Sequence, residues 1–471
     1  MPSLLDAKLA VARGAGALAR LRGSGATSLP GRVLIALEPR AIGTLAARLA
    51  RGSAVISATN GKTTTAAMAA GIFRQAGIPL VHNQAGANMA GGVATTLLDA
   101  TRGESIEGDL GLFEVDELWL ASVAAALAPR AIALGNLFRD QLDRFGELDA
   151  IADSWAELLA DTPALAILNA DDPLLADLGR EREPDSVVYF GVDDETLALP
   201  GLGHAADAKH CRQCGSPYVF DAVYLGHLGH YHCPSCGAKR PEPQVLATEV
   251  AFDGVRSAAF TLTTPAGEAR VQLALPGLYN VYNALTAAAL GCASEVPLED
   301  IVAGLQDTRP AFGRAETLRL ALPSANGHGA GAGEERELRI LLVKNPAGAN
   351  EVLRTLALEP GRHDLFGVLN DQIADGRDVS WIWDADFELL ADRVERATCS
   401  GNRAADLAAR LKYAGVEPER IRIEPDLPRA LDAALAAEDA GRPLYALPTY
   451  TAMLALRELL RARGAVAGRW T

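Results

Sequence analysis

The stretch Ser57-Ala58-Thr59-Asn60-Gly61-Lys62-Thr63-Thr64-Thr65 constrains the fold of this chain more than any other. It follows the apolar run Ala54-Val55-Ile56 and precedes an Ala-rich helical pattern beginning near Ala66. Strand, Gly-containing turn and helix in that order aim backbone N–H groups and a helix N-terminus at one spot, which suits a phosphate. Lys62 adds a point charge for the β- and γ-phosphates, and the Thr63 hydroxyl can ligate Mg²⁺. Only the second half of the G-x-x-x-x-G-K-[ST] pattern is present, because Ile56 stands where the first Gly would fall. Lysine occurs only at positions 8, 62, 209, 239, 344 and 412, which makes Lys62 beside Gly61 hard to dismiss as incidental.

The surrounding pattern predicts an α/β fold. A helix over 41–51, a strand over 53–57 and a helix over 63–77 bracket the loop. The runs Leu110–Val115, Ala131–Leu134 and Leu165–Leu168 read as further buried strands. Strands separated by helices imply a parallel sheet, with ligands at its carboxyl edge. With 471 residues the chain exceeds one core. We expect an N-terminal helix and lead-in over 1–45, an ATP-binding central domain over 46–310 and a smaller α/β domain over 311–471. The later boundary falls near Asp307-Thr308-Arg309-Pro310. Residues 249–262 and 268–275 read as antiparallel strands, and Leu278–Leu290 as a helix. Leu365–Leu369, Ser380–Trp383 and Leu444–Leu447 continue the α/β pattern. Residues 324–333 are low-complexity and Gly/Ala-rich, and are expected to be a surface loop.

A net charge of −15 argues against sequence-independent nucleic-acid binding. The Leu4–Leu21 segment is broken by Asp6, Lys8, Arg13 and Arg20, so it is no signal peptide. It reads as an amphipathic helix packed on the core, with a membrane-surface helix as the less favoured alternative. No run reaches about 18 apolar residues, and the protein is expected in the cytoplasm.

Five residue groups carry chemistry. Cys211-x-x-Cys214 and Cys233-x-x-Cys236 have the spacing of a structural zinc ribbon, expected over 205–242. His210, His227, His230 and His232 lie nearby and read as surface or supporting residues. Glu114 ends a buried strand and can hold Mg²⁺, as can Asp140 and Asp143. Asn169-Ala170-Asp171-Asp172-Pro173 reads as turn and helix-cap chemistry. Asn280 and Asn283, three apart at a helix start, can face one ligand or cap the helix. Arg314, at the hinge, could reach nucleotide phosphates.

The order of these motifs resembles the ATP-dependent Mur ligase family. Lys344-Asn345-Pro346-Ala347-Gly348, Asp375 to Asp384, Ser400–Arg403, Arg410–Gly415 and Leu447–Thr451 narrow the resemblance to the MurT family, the ligase-type subunits of lipid II isoglutaminyl synthase. Two departures are visible. Asp140-Gln141-Leu142-Asp143 replaces Asp-His-Leu-Asp, putting a second Mg²⁺ site in doubt, and residues 172–208 offer no lysine for carbamylation. The resemblance implies ATP held by Thr59, Asn60, Gly61, Lys62, Thr63 and Thr64, with Asn280, Asn283 and Arg314 assisting. It implies Mg²⁺ on Thr63 and Glu114, and Zn²⁺ on the four cysteines. The reaction implied is phosphorylation of the D-glutamate α-carboxylate of lipid II, followed by attack of ammonia. Cys292 and Cys399 lack the setting of a nucleophile, so ammonia would come from a GatD-type glutamine amidotransferase. Asp375, Asp378 or Asp384 would complete that partner's Cys-His pair, with Asp378 preferred. The protein would work near the inner face of the cell membrane, meeting it only through the lipid-linked substrate. A stand-alone Mur-like ligase joining an amino acid to a carboxylate is the alternative enzyme. A zinc-ribbon nucleotide-binding scaffold is the non-enzymatic one.

Overall fold

The computed structural model describes residues 4–21, 27–83, 86–140, 148–203, 206–309, 314–321, 335–436 and 441–466. A nine-stranded sheet carries the phosphate loop. Across it lie Gly267–Leu273, Ser257–Thr264, Val245–Asp253, Val187–Val192, Leu165–Asn169, Ala131–Leu134, Ser53–Ser57, Leu110–Glu114 and Leu80–His82. The last seven are parallel and the first two join antiparallel at one edge.

The central strands read as unbroken apolar runs because both faces are covered. Ala54 and Ile56 enter one core, with the helices Lys62–Gln75, Leu278–Ala293 and Leu298–Gln306. Val55 enters the other, with Leu4–Leu21, Leu29–Leu37, Ala90–Ala100 and Leu148–Asp161. Successive side chains on a strand face opposite ways, so a single run feeds two cores. The parallel strands all end at one edge, which gathers the loop, Glu114, Asn136 and Asp171 there.

A six-stranded sheet follows, in the order Arg314–Ala321, Glu335–Leu341, Leu444–Pro448, His363–Val368, Val394–Ser400 and Ile421–Ile423. Its first pair is antiparallel and the rest parallel.

Three expectations change. Residues 249–262 are not one strand, because Gly254, at φ 52°, turns the chain between Val245–Asp253 and Ser257–Thr264. Ser380–Trp383 is a 3₁₀ turn, begun by the Asp378 carboxylate accepting from the Ser380 N–H at 2.8 Å. The helix expected over 41–51 is Ala41–Ala46, after which i→i−3 bonds wind the chain into a turn.

Candidate active site

The loop is held open by its neighbour across the sheet. Asn136 Oδ1 accepts from the Asn60 N–H at 2.9 Å, and Asn136 Nδ2 donates back to the Asn60 carbonyl at 2.9 Å. The Thr59 hydroxyl accepts from the Phe138 N–H at 3.0 Å. Gly61 has φ 84°, and a Cβ there would lie 2.1 Å from Asn283 Oδ1. Only glycine fits that position.

Lys62 opens the helix Lys62–Gln75, and its buried Nζ donates to the Ala58 carbonyl and to Glu117 Oε2, each at 2.6 Å. Burial pushes this ammonium toward neutrality, but Glu117, Asp116 and Asp140 hold its pKa above the ordinary lysine value. The Thr63 hydroxyl donates to Glu114 Oε1 at 3.0 Å. Asn83 fixes Glu114 from behind, accepting from its N–H at 2.9 Å and donating to its carbonyl at 2.8 Å. A hydroxyl and a carboxylate sharing one spot are the hard oxygen donors that Mg²⁺ takes beside phosphates.

Asn280 and Asn283 lie behind Gly61. Asn283 Nδ2 donates to Asn280 Oδ1 at 3.1 Å, Thr65 donates to Asn283 Oδ1 at 3.2 Å, and Asn280 Nδ2 binds the Pro276 carbonyl at 2.7 Å. Both line a cleft with Asn60, Gly61, Thr64, Phe138, Tyr279 and Leu342. The Arg314 side chain, Gln141 and Asp143 lie outside the described residues.

Sequence reasoning gave no role to three residues at this site. Glu117 is one. Lys344 is another: its Nζ donates to the Thr59 carbonyl at 3.1 Å and to Asp140 Oδ2 at 2.8 Å. Asn345 is the third, with Nδ2 2.9 Å from Asn60 Oδ1 and 3.0 Å from Asp140 Oδ1. Asn345 Oδ1 also accepts from the Gly348 N–H at 2.8 Å, starting the helix Pro346–Leu358. Scarcity of lysine was a signal for Lys344 as much as for Lys62.

The three C-terminal acids differ. Asp375 is buried, and its carboxylate accepts from the Thr451 N–H at 2.7 Å and from the Thr451 hydroxyl, tying down the helix Tyr450–Ala462. Asp384 Oδ2 lies 3.4 Å from Arg139 Nη1. Asp378 is exposed, and the Ser380 hydroxyl and N–H hold its pKa below the usual carboxylate value. All three line one hollow with Arg139, Asp140 and Trp381.

The sulfurs of Cys211, Cys214, Cys233 and Cys236 lie within 4.8 Å of one another. Two alike turns place them. The Gly215 N–H bonds the Cys211 carbonyl at 2.8 Å, the Gly237 N–H bonds the Cys233 carbonyl at 3.0 Å, and both glycines have positive φ. Four thiolates that close match the tetrahedral shell of Zn²⁺, and none of the four nearby histidines belongs to the cluster. Buried Asp171 anchors this unit to the sheet. Its carboxylate accepts from Arg240 Nε at 2.6 Å, the Tyr282 hydroxyl at 2.7 Å and the Val192 N–H at 2.8 Å. Asp172 caps the helix Pro173–Leu178.

A parallel sheet with this loop, and a second α/β unit reaching into it, define a Mur ligase-type protein. The family model for the Mur ligase middle domain matches residues 56–217, and that for the MurT ligase C-terminal region matches 342–453. Among solved structures, a pseudomurein peptide ligase type C from Methanothermus fervidus has a TM-score of 0.67 at 21% identity, over 89% of this chain and 80% of that one. MurF ligase from Thermotoga maritima, in complex with ADP, has a TM-score of 0.59 at 14% identity, over 92% and 85%.

The lipid II isoglutaminyl synthase (glutamine-hydrolyzing) subunit MurT of Streptococcus pneumoniae is 32% identical, over 95% of this chain and 94% of its own. The same subunit of Staphylococcus aureus (strain N315) is 30% identical, over 94% of each. The chain belongs to the MurT family.

Proposed function

We propose that this chain is the ATP-consuming subunit of a glutamine-dependent lipid II isoglutaminyl synthase. The observation that carries the reading is the end-to-end likeness to MurT subunits, joined to a phosphate loop with its lysine and Thr-Glu pair in place. ATP lies with its phosphates over Thr59–Thr64 and its base toward Asn280 and Asn283 in the cleft. Mg²⁺ on Thr63 and Glu114 would neutralise charge on the phosphates. Lys62, released from Glu117, meets the transferring γ-phosphoryl. The D-glutamate α-carboxylate oxygen takes that phosphoryl and ADP leaves. Ammonia then attacks the acyl carbon, giving the amide as phosphate departs and a proton is lost.

Ammonia must be delivered. Burial pushes the Cys292 thiol up to about 11 and the Cys399 thiol up to about 12, so neither serves as a thiolate nucleophile at neutral pH. A GatD-type glutamine amidotransferase supplies it. Asp378, exposed and held ionised, would be the carboxylate that orients that partner's histidine. Asp375 is already committed to Thr451, and Asp384 faces Arg139. Asp378→Asn should lower the partner's glutaminase rate in the complex by about a hundredfold or more, as loss of an orienting carboxylate does. An unchanged rate would remove Asp378 from the reaction. Zn²⁺ on the four cysteines is structural in this reading.

A further inference from the structure

The helix Leu4–Leu21 packs one face on the body and leaves the other bare. Leu9, Ala12, Gly16 and Ala19 are buried, and Gly16 approaches Pro30 so closely that a Cβ would lie 2.7 Å from its ring. Lys8 pairs with Glu38 at 2.8 Å, and Arg13 donates to the carbonyls of Leu98 and Thr101 at 2.9 and 2.6 Å. The helix is therefore docked and not a loose arm. Its outward residues are Leu4, Ala7, Ala10, Val11, Gly14, Ala17, Leu18, Arg20 and Leu21, all but Arg20 lacking a polar side chain. Leu4 is 76% exposed, Val11 57%, Leu18 62% and Leu21 83%. Leu29 and Leu37 of the adjoining helix Leu29–Leu37 are exposed as well. An outward face that is apolar over five turns inverts the usual pattern of a surface helix.

Charge identifies what covers it. Residues 1–51 contain eight Lys and Arg against two acids, in a chain that carries 44 against 59. The segment that carries the apolar face is thus net basic in a chain that is net acidic, and Arg20 and Arg32 are exposed beside that face. A second copy would bring two basic surfaces together, whereas an anionic lipid surface complements both the charge and the leucines. No helix among the described residues is long and apolar enough to cross a membrane.

We infer that the Leu4–Leu21 and Leu29–Leu37 helices form a docking face for an anionic membrane surface, in addition to any contact made through the substrate. The face is joined to the reaction site through packed elements. The Gly31 N–H donates to Thr95 Oγ1 at 2.8 Å, locking Leu29–Leu37 onto the helix Ala90–Ala100. That helix follows the loop in which Asn83 holds Glu114. A lipid-linked substrate would then meet a site already oriented at the bilayer. The inference borrows only this rationale from the proposed function, because vesicle binding is measured without nucleotide, substrate or partner.

The test is flotation of the full chain with phosphatidylcholine vesicles, with and without phosphatidylglycerol. Binding should be at least about tenfold stronger with phosphatidylglycerol and weaken in high salt. Val11→Glu/Leu18→Glu should lower it by at least about tenfold, and Arg20→Glu/Arg32→Glu by several-fold. Both substituted pairs are exposed, so the thermal transition should persist. Leu4→Glu, in the first helical turn, gives the same reading if the double variant fails to fold. A wild-type chain that stays unbound to phosphatidylglycerol vesicles overturns the inference, as does undiminished binding by the Glu variants. Light scattering that shows a dimer broken by Val11→Glu/Leu18→Glu assigns the face to a second copy and overturns it equally.

Discussion

Replacing Glu117 with Gln tests the electrostatics of the loop in one substitution. Lys62 Nζ is buried and, among the described residues, its one ionic contact within hydrogen-bond reach is Glu117, at 2.6 Å. Breaking a buried pair by neutralising one member costs about 3–5 kcal/mol, since the other charge is left uncompensated. The Ala58 carbonyl stays in place, and Asp116 and Asp140 still favour the charged form. The lower end, about 3 kcal/mol, therefore applies. At roughly 2–4 °C per kcal/mol for a unit of this size, the apo protein should lose about 6–12 °C in Tm. Mg·ATP at a hundredfold excess over its Kd stabilises the wild type by about 2.7 kcal/mol. It should stabilise Glu117→Gln more, because the phosphates replace the missing counter-charge and no Lys62–Glu117 contact has to be given up. The sign with pH follows from the raised Lys62 pKa. The pair's contribution is fully present below the unfolded lysine pKa of about 10.4 and is lost only as pH rises through the higher folded value. The Tm difference should thus stay flat from about pH 6 to 9. Differential scanning fluorimetry with and without Mg·ATP reads all of this. An apo Tm unchanged by the substitution, or a nucleotide-induced shift smaller than in the wild type, would refute the reasoning.

Gly61→Ala should abolish detectable ATP binding in calorimetry, because its Cβ would sit 2.1 Å from Asn283 Oδ1 at a positive φ. Lys344→Ala should cut substrate-dependent ATPase activity by about tenfold or more, since it leaves Asp140 with Asn345 alone and removes the Lys344 bond to the Thr59 carbonyl. Elemental analysis should find one zinc per chain, lost in Cys233→Ser together with a lower Tm, with Cys399→Ser keeping the metal.

The part of the site that is local in sequence was legible. Strand, glycine turn, lysine and helix are consecutive, and the two Cys pairs carry their own spacing. The part made by distant segments was not. Lys344 and Asn345 meet Thr59 and Asn60 across 285 residues, and no periodicity records that meeting. Glu117 sits in a run of acids whose members look alike until the fold sets Glu117 against Lys62 and Glu114 against Thr63. Asp171 read as turn chemistry because its partners, Arg240 and Tyr282, belong to other elements. Ser380–Trp383 read as part of the α/β pattern, and it is a 3₁₀ turn beside the bond from the Ser380 N–H to the Asp378 carboxylate. The bare face of the first helix was invisible for the opposite reason. Its composition shows an amphipathic helix, but only packing shows which side is buried.

The central claim is that this chain transfers ATP's energy to an amide whose nitrogen comes from a partner's glutamine. The direct measurement is mass spectrometry of lipid II incubated with the chain, a GatD-type amidotransferase, Mg·ATP and glutamine labelled at its amide nitrogen. The account predicts labelled D-isoglutamine that requires every component and vanishes with Lys62→Ala. Unlabelled product, or ligation of a free amino acid by the chain alone at a rate the amidotransferase does not change, would contradict it.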